Sequence, residues 1–379
     1  MLGLYVHVPF CASICNYCNF NRGLFDGPLK DEYVAAVVEE ISRAGDARPA
    51  AADTIFFGGG TPSLLEPDEV AAIVAACRRA FDVSGDAEVT LEANPETVTG
   101  PGLERFRHAG ITRLSFGVQS FRDEELQRLG RLHSAARARD AVALARAAGF
   151  DNVSLDLMMW LPGQTVAEWL HSVDELVAAG PDHASLYLLE LYARAPLRDE
   201  MARAGLSLPP DDDAAEMYLE ALDRLDGAGY TQYEISNVAR PGRASRHNLK
   251  YWSDGAWVGF GPGAHSTRDG VRWRNVSSTS DYISAIRTSR SVVAERRILS
   301  RQDALEEVLF TRLRLARGID LGLVRSEYGV DVWEQYGGDL QPFVDDGLLI
   351  HDGVCVRLTR PGMLLANEVM AVFIGSRVR

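Results

Sequence analysis

The chain is poor in the features that announce most functions. Five cysteines in 379 residues is an odd and small count, which excludes a regular disulfide framework. Only two residues are lysine, Lys30 and Lys250, and the net charge is −14. A broad nucleic-acid-binding surface is therefore not expected. There is no apolar run of about 18 residues, so no membrane span is expected. The N-terminal stretch MLGLYVHVPF has no basic region and no cleavage-site pattern; it reads as a strand, and no targeting peptide is expected. Internal repeats and low-complexity tracts are missing too. What is left is a reduced, cytoplasmic, globular protein of about two or three domains.

The cysteines that are present are concentrated. Cys11, Cys15 and Cys18 fall in PFCASICNYCNF, spaced C-x3-C-x2-C. Cys77 and Cys355 lie in apolar, element-like stretches and read as small buried hydrophobes. A structural zinc needs four ligands. Only three thiols are local, and His7 is the nearest histidine. An iron–sulfur cluster normally takes four thiolates, so three would leave one iron open for a small molecule. A zinc-stabilised module without redox chemistry is the competing reading.

The first ~190 residues alternate strand and helix patterns. The strands are LYVHVPF, TIFFGGG, EVTLEANP, RLSFGVQS, NVSLDLMM and HASLYLLEL. The helices carry stop signals at Gly45, Gly149 and Gly180, an N-cap at Ser134 and a capping box of Thr165 with Glu168. This pattern predicts an α/β fold, a partial parallel (β/α) barrel. A polar loop is expected over NVARPGRASRHNLKYWSDG. From about residue 292, helices followed by a hairpin at Asp352-Gly353 predict a winged-helix-like α+β module. It is not strongly basic and suits docking or packing better than DNA. The expected divisions are a core over 1–200, an extension completing it over 201–291, and the module over 292–379.

In such barrels ligands sit at the C-terminal strand ends, where the unusual residues occur. Gly58, Gly59 and Gly60 allow close approach to the backbone. No Lys-Ser/Thr follows them, so they are not a phosphate loop. Glu92 and Asp156 suit ribose hydroxyls or an ammonium group, and Arg131 suits a carboxylate.

The cysteine spacing resembles the signature of the radical S-adenosylmethionine (SAM) superfamily. YVHVPFC, GGGTPS, LEANPE, SFGVQSF, LGRLHS and LDLMMWLPGQT, in that order, resemble the oxygen-independent coproporphyrinogen oxidase family. YEISNVARPG, SRHNLKYW and GFGPGAHS are similar to its heme-chaperone branch. The resemblance spans nearly the whole chain. It implies that Cys11, Cys15 and Cys18 hold a 4Fe–4S cluster whose open iron takes SAM. Gly59, Gly60 and Thr61 would contact its methionine end, and Tyr5, Tyr17, Glu92, Gln119, Arg131 and Asp156 would line its pocket. In the family SAM is cleaved to a 5′-deoxyadenosyl radical.

Two functions follow from the two branches. The oxidase decarboxylates two propionates of coproporphyrinogen III and carries an extra cysteine where this chain has Phe20. That difference favours the chaperone, which binds heme and passes it to apo-heme acceptor proteins. The resemblance also implies an electron donor and leaves homodimerisation and SAM cleavage open. His247, Tyr251, Trp252 and His265 are the heme candidates. Asn19, Met159 and Trp160 depart from the family's usual Asp, Tyr and Gly, and Trp160 threatens to narrow the SAM pocket.

Overall fold

A computed structural model describes residues 1–47 and 50–374. Short β-branched and aromatic runs ending in glycine or polar turns form its strands. The first six are β1 (Leu2–Val8), β2 (Ala51–Gly59), β3 (Asp82–Ala93), β4 (Arg113–Gln119), β5 (Val153–Met159) and β6 (His183–Leu188). They pair in parallel in chain order. Helices α1 (Gly27–Ala47), α2 (Pro67–Ala80), α3 (Gly100–His108), α4 (Ala135–Ala147) and α5 (Val166–Ala179) lie between them. Alternation along each strand turns Val6, Ile55, Phe57, Val89, Leu91 and Leu114 into the main core. It leaves Tyr5, Glu92, Ser115 and Asp156 on the opposite, inner face.

The less regular middle of the chain adds strands at both ends of the same sheet. β7 (Thr231–Glu234) and β8 (Asn237–Ala239) extend it beyond β6. β9 (Trp257–Phe260) pairs in parallel with β1. β10 (His265–Arg268), β11 (Val271–Asn275) and β12 (Val293–Ile298) follow as an antiparallel meander. The order is β12-β11-β10-β9-β1-β2-β3-β4-β5-β6-β8-β7. Its two ends do not meet, so the barrel is partial, as expected. After β12, helices over 301–313, 321–328 and 332–345 precede a hairpin of Leu349–His351 and Cys355–Leu358. Ile319–Asp320 adds its third strand.

The helix signals hold where capping chemistry is local. Thr165 and Glu168 form the capping box, Gly180 ends α5 in the left-handed conformation, and Ser134 caps α4. Gly45 does not end α1. The helix runs on to Ala47, and Gly45 is buried because a Cβ there would meet that of Ala80 at 2.5 Å. The expected polar loop contains β8 and helix α6 (Arg246–Trp252), capped by Ser245. Several of its polar groups bond to the core sheet: the Arg246 and His247 backbone N–H groups donate to Glu88, and Lys250 pairs with Asp53.

One buried carboxylate ties the meander to the core. Glu40, on α1, accepts from the Gly261 backbone N–H at 2.8 Å, Asn275 Nδ2 at 2.7 Å and the Tyr282 hydroxyl at 2.6 Å. Burial pushes its carboxyl up to about 7. Glu40→Leu leaves the Gly261 N–H and the Tyr282 hydroxyl without this acceptor, while Asn275 Nδ2 keeps the Gly261 carbonyl at 3.0 Å, and is expected to destabilise the fold by about 3 kcal/mol, measured by urea unfolding.

Candidate functional site

The Cys loop begins where β1 ends. Phe10–Cys11 pairs with Gly23–Leu24, closing the loop on itself. Asn16 anchors its middle: the backbone N–H donates to the Leu129 carbonyl, and Nδ2 donates to Glu200 at 2.9 Å. The end of β2 is bonded directly to the entry of the loop. Gly60 N–H donates to the Val8 carbonyl and Thr61 N–H to the Phe10 carbonyl, both at 2.7 Å. A Cβ on Gly60 would stand 2.5 Å from the Phe10 oxygen. The close approach that these glycines allow is thus made first by the Cys loop itself.

Above the strand ends lies a cavity of about 430 Å3. It is lined by Cys11, Cys15, Cys18, Tyr17, Gly59, Gly60, Thr61, Glu92, Gln119, Arg131 and Asp156. Of the residues expected around SAM, only Tyr5 is outside this lining. It lies beneath Gly58, where its ring would touch a Cβ at 3.0 Å, and its hydroxyl bonds His7 Nδ1 at 3.0 Å. Its position on β1 is two residues too early for its side chain to reach the strand end. In this structure Tyr5 sits just below the lined cavity, against Gly58 and His7.

The cavity is built for a charged, polar guest. Arg131 donates through Nη2 to Asn94 Oδ1 at 2.6 Å and to the Gly117 carbonyl at 2.5 Å, and its Nη1 reaches Cys15 Sγ at 3.5 Å. Among the described residues its Nε is buried without a partner, as is Gln119 Oε1. Gln119 also takes φ 68°, a left-handed conformation of the kind held at binding sites. Burial, with the Asp156 charge next, pushes the Glu92 carboxyl up to about 8. Burial likewise raises Asp156 and pushes the Cys11 thiol up to about 11. Such a set takes a ligand bearing both positive and negative groups.

Other lining residues were not singled out from the sequence: Ser115, Tyr187, Leu188, Glu190 and Tyr192. The last four are at or just past the end of β6, in HASLYLLELY. The strand-end rule that picked out Glu92 points to them equally. Trp160 does not enter the cavity. It adopts φ 62°, where glycine is at ease, and its indole donates to the Pro209 carbonyl at 2.8 Å. Met159 faces the main core. The cavity is therefore not narrowed by either departure, while Asn19 lies in its lining.

The expected heme residues separate. His247 is fully buried, with Nδ1 bonded to Thr54 Oγ1 at 2.8 Å and Nε2 to the Tyr251 hydroxyl at 2.9 Å. Its ring stacks on Phe56 at 5.1 Å. Neither nitrogen is free for an iron. Tyr251 packs edge-on to Trp257, and Trp252 lies under the Arg314 guanidinium at 4.3 Å. In this structure His247 and Tyr251 pack by the inner face of β1 and β2, and Trp252 packs beside Arg314. His265 stands apart from them in a separate pocket on β10.

The description of the radical SAM superfamily matches residues 5–176, and that of the HemN C-terminal domain matches residues 299–365. The heme chaperone HemW of Bacillus subtilis is 35% identical, over 99% of this chain and all of that protein. The chain belongs to the HemW family. Other members of it include the heme chaperone HemW of Mycobacterium tuberculosis, 37% identical over 98% of this chain and 95% of that one. The mitochondrial radical S-adenosyl methionine domain-containing protein 1 of Mus musculus is 36% identical over 97% and 86%. The HemW fold here matches coproporphyrinogen III oxidase (HemN) of Escherichia coli with a TM-score of 0.86, at 23% identity over 98% and 89%.

Radical SAM membership implies a 4Fe–4S cluster and SAM, and the donors fit both. Among the described residues no group of three or more His, Cys, Asp or Glu is placed to hold a single metal ion. Thiolates sharing one zinc must come within ~3.8 Å of one another, whereas a cluster takes each thiolate on a different iron. Among the described residues Arg131 Nε and Gln119 Oε1 are left without partners, which suits a polar ligand.

Glu92 offers a test without cofactor. Its ordinary value is 4.5, so the folded chain holds a proton that the unfolded chain releases. Its contribution to stability is full below about 4.5 and is lost as pH rises through about 8. Glu92→Gln removes that loss. The stability of the cofactor-free variant relative to the unaltered chain is expected to rise by at least about 1 kcal/mol between pH 6 and pH 9, in urea unfolding under reducing conditions. Trp160→Gly is expected to leave SAM affinity within about twofold in equilibrium binding, since the indole is outside the cavity.

Proposed function

We propose that the chain is a cytoplasmic heme chaperone, binding heme and passing it to apo-heme acceptor proteins, with a 4Fe–4S cluster and SAM in the cavity at the strand ends. The observation that carries this reading is full-length identity to curated heme chaperones of several bacteria. Phe20 supports it: this side chain, 64% exposed at the cavity's rim, replaces the extra cysteine of the oxidase branch.

A cluster held by Cys11, Cys15 and Cys18 would supply one electron for reductive cleavage of SAM. This chain's residues bind and orient. Cys11, Cys15 and Cys18 present thiols from a loop pinned by Gly60, Thr61 and Asn16. Arg131, fixed by Asn94 and Gly117, offers its free N–H to a carboxylate. Glu92 and Asp156 accept from ammonium or hydroxyl groups. Tyr17, Tyr187 and Tyr192 close the sides and restrict water. Coproporphyrinogen oxidation is the second reading, favoured by the fold shared with HemN.

The test uses anaerobically reconstituted protein with SAM and reductant, offered heme or coproporphyrinogen III. Heme binding at micromolar concentration and transfer to an apo-acceptor, without protoporphyrinogen formation, is expected. Turnover of coproporphyrinogen would replace this reading with the oxidase. Cys15→Ala is expected to lose most of its iron and sulfide; retention of both would remove Cys15 from the ligand set.

A further inference from the structure

The cavity at the strand ends carries a charged side chain that the account of SAM and the cluster leaves unused. Arg22 lines it together with Cys11, Cys15 and Cys18. The chain on both sides of Arg22 is tied down. Asn21 Nδ2 donates to the Pro262 and Ser277 carbonyls at 2.9 and 3.0 Å, and the Gly23 N–H donates to the Pro9 carbonyl at 2.7 Å. From this fixed point the Arg22 side chain turns back along the Cys loop. Its Nη2 donates to the Cys18 carbonyl, and its Nη1 donates to the Phe20 carbonyl at 3.0 Å. A planar fork held at two points cannot swing into water as a lysine would.

What this guanidinium lacks is a counter-charge. Among the described residues Arg22 forms no ion pair, and its Nε is buried without a partner. Both conditions are costly unless something negative is bound nearby. The carboxyls of the lining are spent elsewhere. Glu92 and Asp156 stand on β3 and β5, and Glu190 accepts from the Tyr192 hydroxyl at 3.0 Å. Asn19, directly after Cys18, also lines the cavity and brings no charge. The end of the Cys loop is therefore positive, in a chain whose net charge is −14.

Thiolate-held iron–sulfur clusters take their reduction potential from net charge, hydrogen bonds to sulfur and solvent exposure. One-electron reduction adds a negative charge, and a fixed positive charge in a part-buried site favours the more negative form. We propose that Arg22 sets the reduction potential of the cluster: its unpaired charge, with neutral Asn19 beside Cys18, favours the reduced state. This rests on the reading of Cys11, Cys15 and Cys18 as cluster ligands.

The experiment reconstitutes the full-length chain anaerobically with iron and sulfide, without SAM, and measures the content of both. A dithionite titration with redox mediators, followed by visible absorbance and by the electron paramagnetic resonance of the reduced cluster, gives the midpoint potential. The unaltered chain, Arg22→Gln, Arg22→Lys and Asn19→Asp are compared. Arg22→Gln is expected to lower the midpoint, moving the oxidised-to-reduced ratio about threefold or more, which is about 30 mV for one electron. Arg22→Lys keeps the charge and is expected to stay within about twofold of the unaltered ratio. Asn19→Asp leaves Arg22 and its bonds in place, adds a negative charge next to Cys18, and is expected to shift the midpoint in the same direction as Arg22→Gln. The midpoint belongs to the loaded fraction, so partial assembly does not alter it. An unchanged midpoint in Arg22→Gln would overturn the proposal, and so would an Arg22→Lys shift as large as that of Arg22→Gln; Arg22 would then be a staple of the loop alone. If Arg22→Gln takes up no iron, Asn19→Asp decides, and an unchanged midpoint there would overturn the proposal. Failure of the unaltered chain to take up iron and sulfide would overturn the cluster reading as well.

Discussion

The site depends on one contact that has no room for a side chain. The β2 end passes so close to the start of the Cys loop that Cβ atoms on Gly59 and Gly60 would stand 2.6 Å from the His7 ring and 2.5 Å from the Phe10 oxygen. In exchange, two backbone hydrogen bonds lock strand end to loop. Backbone bonds of this kind fix position in a way that long side chains do not. The thiols are therefore referred to the sheet, and so are the Glu92 and Asp156 carboxyls, because all sit on the same set of strand ends. Cys loop, acid groups and Arg131 keep their spacing because they share one rigid frame.

That frame concentrates unfavourable electrostatics. Glu92 and Asp156 are buried near each other, and both are pushed towards their neutral forms. Arg131 is nearby but already committed to Asn94 and Gly117. An isolated domain selected only for stability would replace such groups with apolar ones. Their presence, with the unpaired Arg131 Nε and Gln119 Oε1, means that the arrangement is completed by something bound. The left-handed Gln119 belongs to the same account: strain kept at a strand end is tolerated where it places a side chain.

The sequence showed this site well because its chemistry is local. Three thiols in eight residues, a glycine run and single acids after hydrophobic strands need no tertiary knowledge to be noticed, and parallel topology sends them to one end. The placement of the heme candidates was not legible for the opposite reason. SRHNLKYW is polar and aromatic, which suits an exposed loop or a buried network equally. Only the packing of α6 against β1 and β2 decides, by giving His247 partners in Thr54 and Tyr251. Trp160 shows the same limit. Its backbone conformation is glycine-like, as the family pattern implies, but the direction of its indole depends on Pro209, 49 residues away. Gly45 misled because a glycine inside a helix at a close helix–helix contact looks the same as one that stops it.

The meander beyond β9 links the two regions of the inner face. Strand spacing places β10 about 10 Å across the sheet from β1. The connection is not only lateral. His7 Nε2 bonds the Asn21 carbonyl at the end of the Cys loop, and Asn21 Nδ2 donates to the Pro262 and Ser277 carbonyls on either side of β10 and β11. Pro262 is three residues before His265. Glu40 then fixes Gly261 and Asn275 from the outer helix layer. The Cys loop and the His265 pocket therefore share one hydrogen-bonded support.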